Sequence, residues 1–154
     1  MIADVAGVGR TATDHYVLLD TGLISPGDVV VGATGTLVRE ASVSQEVLEL
    51  AALDHHAATR SDVVPLLRAL IVSEGGRAPD PEESVRLVVR VIANAGCAGA
   101  LDVDDAARLL WRISALDPAL RGPLAPFGGF SDGGGSQDRT LRAAEIRREL
   151  HRLL

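Results

Sequence analysis

The sequence predicts a mostly α-helical (α+β) fold. A short N-terminal β-hairpin or three-stranded element packs on a bundle of four to five helices, and a tethered C-terminal helix follows. Three observations lead there. From Val43 to Leu116 apolar residues recur every three to four positions, the period of an amphipathic helix. Before residue 40, short β-branched runs alternate with turn-forming clusters, the pattern of short strands. After residue 120 the composition shifts to Gly, Pro and Ser, ahead of a final arginine-rich segment. The expected organisation is a globular domain over 1–120, with a β element at 14–40 and helices over 43–118. A linker over 121–137 and a basic amphipathic helix over 138–154 complete it.

In the β element, His15–Leu19 is a short β-type run, followed by Thr21-Gly22 and Ser25-Pro26-Gly27-Asp28 as turns. Val29–Val31 forms a strand core, Gly32–Gly35 a turn, and Thr36–Val38 the returning partner. Strands this short are marginal alone and need the helices beneath them. Ser42 and Gln45 have capping-box spacing and open a helix over 43–58. Ser61-Asp62 caps the next, with Val63, Leu66, Leu67, Leu70 and Ile71 on its apolar face and Gly75-Gly76 at its end. Asp80-Pro81-Glu82-Glu83 combines a capping carboxylate, a proline at the first helical position and acids in the positive first turn. Val85, Val88, Val89 and Ile92 then recur at helical spacing, and Gly96 ends that helix. Asp102 and Asp105 open the fourth, with Ala106, Leu109, Leu110 and Ile113 inward and Asp117-Pro118 closing it.

Composition excludes several classes of function. All fifteen cationic side chains are arginine. A chain without lysine has no Schiff-base lysine and no phosphate-loop lysine, and arginine binds and pairs without shuttling protons. A formal charge of −6 repels a phosphate backbone, and aromatics at 3% offer few surfaces on which bases could stack. No nucleic-acid partner is therefore expected. The single Cys97 permits no internal disulfide and suits a reducing cytoplasm. No apolar run approaches the roughly 20 residues of a membrane span, and Asp4 interrupts the N-terminus where a signal peptide would be apolar.

Asp54-His55-His56 is the most suggestive polar cluster. It resembles the signature of the DHH phosphoesterases, and the resemblance covers these three residues. It implies carboxylates and histidines holding a divalent metal for phosphodiester cleavage. Apart from the resemblance, His15 beside Tyr16 is a candidate to join such a site across the fold, the plainer expectation being a surface pair at a strand tip. The stretch before it, Val47–Leu53, reads as helical, and on a helix neighbouring histidines point about 100° apart. The plainer expectation is a polar helix end, favoured there by the negative C-terminal dipole. No Glu-x-x-His pair of a helical two-metal site occurs, and Glu46 and Glu49 read as a solvated pair.

Gly7-Val8-Gly9-Arg10-Thr11-Ala12 fits a dinucleotide fingerprint. Eight residues to Asp20 leave no room for the helix and second strand that fingerprint needs. Cys97 sits among small residues with no base beside it and is expected to be structural. Trp111 reads as a core or interface anchor. Leu141, Ile146, Leu150, Leu153 and Leu154 form an apolar seam beside Arg142, Arg147 and Arg148 on the last helix. Leu141, Ile146, Arg147, Leu150 and Leu153 are the candidate partner-binding residues.

The expectation is a non-enzymatic, cytoplasmic binding or assembly protein. It uses no cofactor and acts on a protein partner or by self-association. Two alternatives stand beside it: a small metal-dependent hydrolase using Asp54, His55, His56 and His15, and a carrier of an apolar small ligand.

Overall fold

The computed structural model describes residues 11–131 and 139–154, and among them it holds eight α-helices and no strand. They are α1 (Ala12–Asp20), α2 (Pro26–Arg39), α3 (Gln45–Ala51), α4 (Arg60–Ser73), α5 (Pro81–Ala98), α6 (Val103–Ile113), α7 (Arg121–Ser131) and α8 (Arg139–Arg152). A single 3-10 turn, Pro118–Leu120, precedes α7. The chain divides into two compact units, Met1–Ser84 and Val85–Leu154.

The expected β element at 14–40 is replaced by α1 and α2. The reason lies at the helix starts. Thr11 Oγ1 accepts the Asp14 N–H (3.1 Å), and the Asp14 carboxylate accepts the Thr11 N–H (3.1 Å), a complete capping box. Ser25 and Asp28 repeat it at 3.2 and 2.7 Å, with Pro26 at the first helical position. The residues expected to turn a hairpin therefore start a helix. Three successive valines and the helix-interior Gly32 and Gly35 weaken α2 by up to about 1 kcal/mol each. Burial of Val29, Val30 and Ala33 outweighs that preference.

In the first unit α1 packs on α4, α2 on α3, and α3 on α4. Gly22, at a positive φ of 73°, ends α1, and the Leu18 carbonyl accepts the N–H of Leu23 (2.9 Å) and of Ile24 (3.3 Å). Val17, Leu18, Val63, Leu67 and Ile71 lie at the centre of this core. Helix α3 is shorter than the expected 43–58, beginning after Ser44 and ending at Ala51. Helix α4 is capped by Thr59 rather than Ser61: the Asp62 carboxylate accepts both the Thr59 N–H (2.8 Å) and its hydroxyl (2.6 Å). Those bonds hold the Asp62 carboxyl below its ordinary range.

In the second unit α6 packs on α7 and α8, and α7 on α8. Helix α5 runs past Gly96 to Ala98, and Gly99 at a φ of 74° stops it. Gly96 sits where a Cβ would stand 2.7 Å from Leu150 Cδ1 and 3.1 Å from Ala106 Cβ, so α5 approaches α6 and α8 closely. Residues 121–131, expected as linker, form α7, with Leu124 and Phe127 fully buried; the remaining 132–138 lie outside the described residues. Tertiary burial overrides the poor helix propensity of its glycines and prolines.

Candidate functional site

The first unit opens into a cleft of about 400 Å³, reached from all four of its complete helices. Its floor is apolar: Ala12 from α1, Val29 and Ala33 from α2, Leu50 from α3 and Leu67 from α4 are all buried. Val43, Val47 and Leu70 form half-buried walls. That volume lies within the range of small-molecule sites.

The polar rim is largely occupied by its own backbone. Thr36 Oγ1 donates to the Gly32 carbonyl (3.1 Å), Ser73 Oγ donates to the Leu70 carbonyl (2.8 Å), and Ser44 Oγ accepts the Val47 N–H (3.4 Å). His15 Nδ1 lies 2.9 Å from the Thr11 carbonyl, and a carbonyl only accepts, so that nitrogen carries the proton. The imidazole lies over α2, with Nε2 3.1 Å from where a Cβ on Gly32 would stand. Gly32 makes room for the ring. Glu40 and Glu74 add two carboxylates at the edge, so the cleft disfavours an anion.

The structure places Asp54, His55 and His56 in an exposed turn after α3. Asp54 Oδ1 accepts the His56 N–H (2.9 Å), and the Asp54 carbonyl accepts the N–H of Ala57 (3.0 Å) and Ala58 (2.8 Å). The carboxylate thus shapes the turn. The two imidazoles stack with centroids 3.8 Å apart, tilted by 40°. His15 lies in the cleft, away from this turn's hydrogen bonds. Among the described residues, no three His, Cys, Asp or Glu side chains gather where they could hold one metal ion.

The candidate partner-binding residues separate into two sets. Ile146 and Leu150 are buried in the second unit at 0% exposure, so this helix completes its own unit's core rather than hanging free. Leu141 and Arg147 are exposed, and Leu153 is half-buried. Burial pushes the Cys97 thiol up, with Arg147 pulling weakly the other way, which suits a structural cysteine. Trp111 is 42% exposed and rests its six-membered ring on Gly128 of α7. Thr11 and Ala12 of the dinucleotide-like stretch begin α1, and Gly7–Arg10 lie outside the described residues.

The sequence does not show the cleft, because its floor draws only one or two residues from each of four helices. No helix among the described residues is long and apolar enough to cross a membrane. Compared with family models, with curated proteins and with solved structures, the chain matches none.

Proposed function

We propose that this chain is a non-enzymatic binding protein whose first unit receives a compact apolar group, neutral or cationic, in the cleft between α1 and α4. One observation carries the reading: a cleft of about 400 Å³ has a buried aliphatic floor, a rim whose hydroxyls already bond their own backbone, and two carboxylates at its edge. Such a surface offers burial to an apolar guest and little to a polar one. The upward-shifted Cys97 thiol and the turn-shaping role of Asp54 fit binding better than bond-making.

Titration with benzylamine and benzyl alcohol, followed by amide chemical shifts, tests this. Saturable shifts are expected at Gly32–Thr36, Val47 and Leu70, with Kd values on the order of 1 mM. Ala33→Leu fills the floor and should abolish them while leaving the spectrum folded. Absence of saturable shifts at these positions up to about 10 mM would sink the reading.

A second reading, self-association through a helix face, is favoured by Val31 and Val38. They lie seven residues apart on α2 and are 54% and 84% exposed, on the side away from the cleft-lining Val29, Ala33 and Thr36. Solution mass should rise with concentration and fall to the monomer value in Val31→Asp/Val38→Asp. A monomer at all concentrations rejects it.

A further inference from the structure

A second concavity of the first unit carries opposite chemistry. It is a groove of about 620 Å³ between α1, α4 and the segment leading into α5. Arg60, Val64, Arg68 and Val72 follow one another at four-residue spacing along α4, so they form one stripe facing it. Tyr16 and Asp20 of α1 lie opposite, and Ala78, Pro79 and Pro81 close an apolar end.

The three arginines of this groove are not equivalent. Arg60 pairs with Asp20 and also donates to the Leu19 carbonyl (3.0 Å). Arg77 forms a two-pronged pair with Glu83, at 2.8 and 2.5 Å. Arg68 has no carboxylate partner among the described residues: its Nη2 donates to Tyr16 Oη (3.1 Å), and its guanidinium carbon lies 5.8 Å from the centroid of that ring. Nε and Nη1 of Arg68 remain available.

Tyr16 supplies the independent second observation. It is only 4% exposed, and its hydroxyl accepts from Arg68 while its own proton has no acceptor among the described residues. A hydroxyl that accepts from a guanidinium is polarised into a stronger donor. Two donors therefore converge at one place, beside the aliphatic surface of Val64 and Val72. Asp20 and Glu83 already neutralise the flanking arginines, and Asp80 adds a carboxylate at the rim. Three arginines thus face three carboxylates, and the one guanidinium of the three without a carboxylate partner among the described residues, Arg68, suits a single negative charge better than two.

We propose that this groove binds a small organic monocarboxylate, with the carboxylate held by Arg68 and the Tyr16 hydroxyl and the apolar body lying on Val64 and Val72. The planar guanidinium fork pairs with a carboxylate, and the apolar surface beside it together with the nearby carboxylates selects a singly charged organic acid over an inorganic dianion. The site is independent of the cleft: the two share no lining residue, and the cleft's two glutamates exclude an anion.

Benzoate is the probe, titrated into the full-length chain at low salt and followed through amide, methyl and arginine Nε–H shifts. Benzyl alcohol and inorganic phosphate serve as controls. Saturable benzoate shifts are expected at Arg68, Val64 and Val72, with neither control producing them. Arg68→Gln, at an exposed position, should weaken benzoate about tenfold or more, and Tyr16→Phe about fivefold. Phosphate binding as tightly as benzoate, benzyl alcohol doing the same, an unchanged affinity in Arg68→Gln, or no saturation would each overturn the proposal.

Discussion

The two units reach the same all-helical outcome by different routes. In the first, the starts of α1, α2 and α4 are written locally, in Thr11/Asp14, Ser25/Asp28 and Thr59/Asp62. In the second, α7 has an unfavourable local sequence, Gly122-Pro123-Leu124-Ala125-Pro126-Phe127-Gly128-Gly129, and is helical because of what it buries. Helix α8 depends likewise on Ile146 and Leu150, and on half-buried Arg142, which pairs with Asp104 of α6 and donates to the Phe130 carbonyl, while Leu141, Arg139, Arg147, Arg148 and Arg152 are exposed. Caps specify where a helix begins, while long-range burial specifies that it forms at all.

The largest effect is expected in the second unit. Leu150 is fully buried against Gly96, so Leu150→Ala removes its packing and leaves a cavity. A loss of about 3 kcal/mol is expected, with the thermal transition of the sole tryptophan, Trp111, moving down. An unchanged transition would show α8 to be dispensable to that core. The first unit's counterpart is Gly27. A Cβ there would stand 2.3 Å from the His55 carbonyl oxygen, a backbone atom that cannot rotate away. Gly27→Ala should cost about 2 kcal/mol and speed amide exchange in α2 and the 54–58 turn. Wild-type exchange rates there would refute the close approach.

These same residues show how much was readable in advance. Helix α5 was legible from Asp80-Pro81-Glu82-Glu83, and α6 from Asp102, because cap and apolar period agreed. Ser25-Pro26-Gly27-Asp28 suits a turn and a capped helix start equally well by composition. What separates them is the flanking pair Ile24 and Val29, both buried and spaced as a hydrophobic staple. The three valines after it favour a strand locally, and tertiary burial reverses that preference. In α7 the only positive signal was Leu124 and Phe127, three apart, within a composition typical of loops. The cleft was unreadable because its floor joins residues from Ala12 to Leu67. The arginines of α4 recur in the sequence at eight residues, Arg60 and Arg68, but which of them is unpaired was not readable, since that depends on Asp20 of α1.

A smaller effect sharpens the contrast at α7. Gly128 lies where a Cβ would meet Trp111 Cη2 and Cζ3 at 3.0 Å. Gly128→Ala gains helix propensity but displaces the indole, a near balance of about 1 kcal/mol either way. The spectroscopic change should exceed the energetic one: Trp111 emission shifts to the red as its ring loses the α7 backbone. Unchanged emission would mean the indole does not rest on Gly128.

The smallest effect separates cap from charge in the first unit. Asp62 accepts two hydrogen bonds from Thr59, and its carboxyl is held below the ordinary value of 3.8. A depressed folded value means the unfolded chain takes up the proton first as pH falls. The stability that the ionised carboxylate contributes is therefore complete above pH 3.8 and disappears as the pH drops through the lower, folded value. Asp62→Asn keeps an oxygen acceptor for the Thr59 N–H but cannot ionise. Wild type should be the more stable form at pH 6, and the gap between the two midpoints should close as the pH is lowered to about 3. A gap constant across that range would assign the effect to hydrogen-bond geometry alone. A gap that closes ties the start of α4 to the negative charge, as expected where four backbone N–H groups point toward the helix entrance.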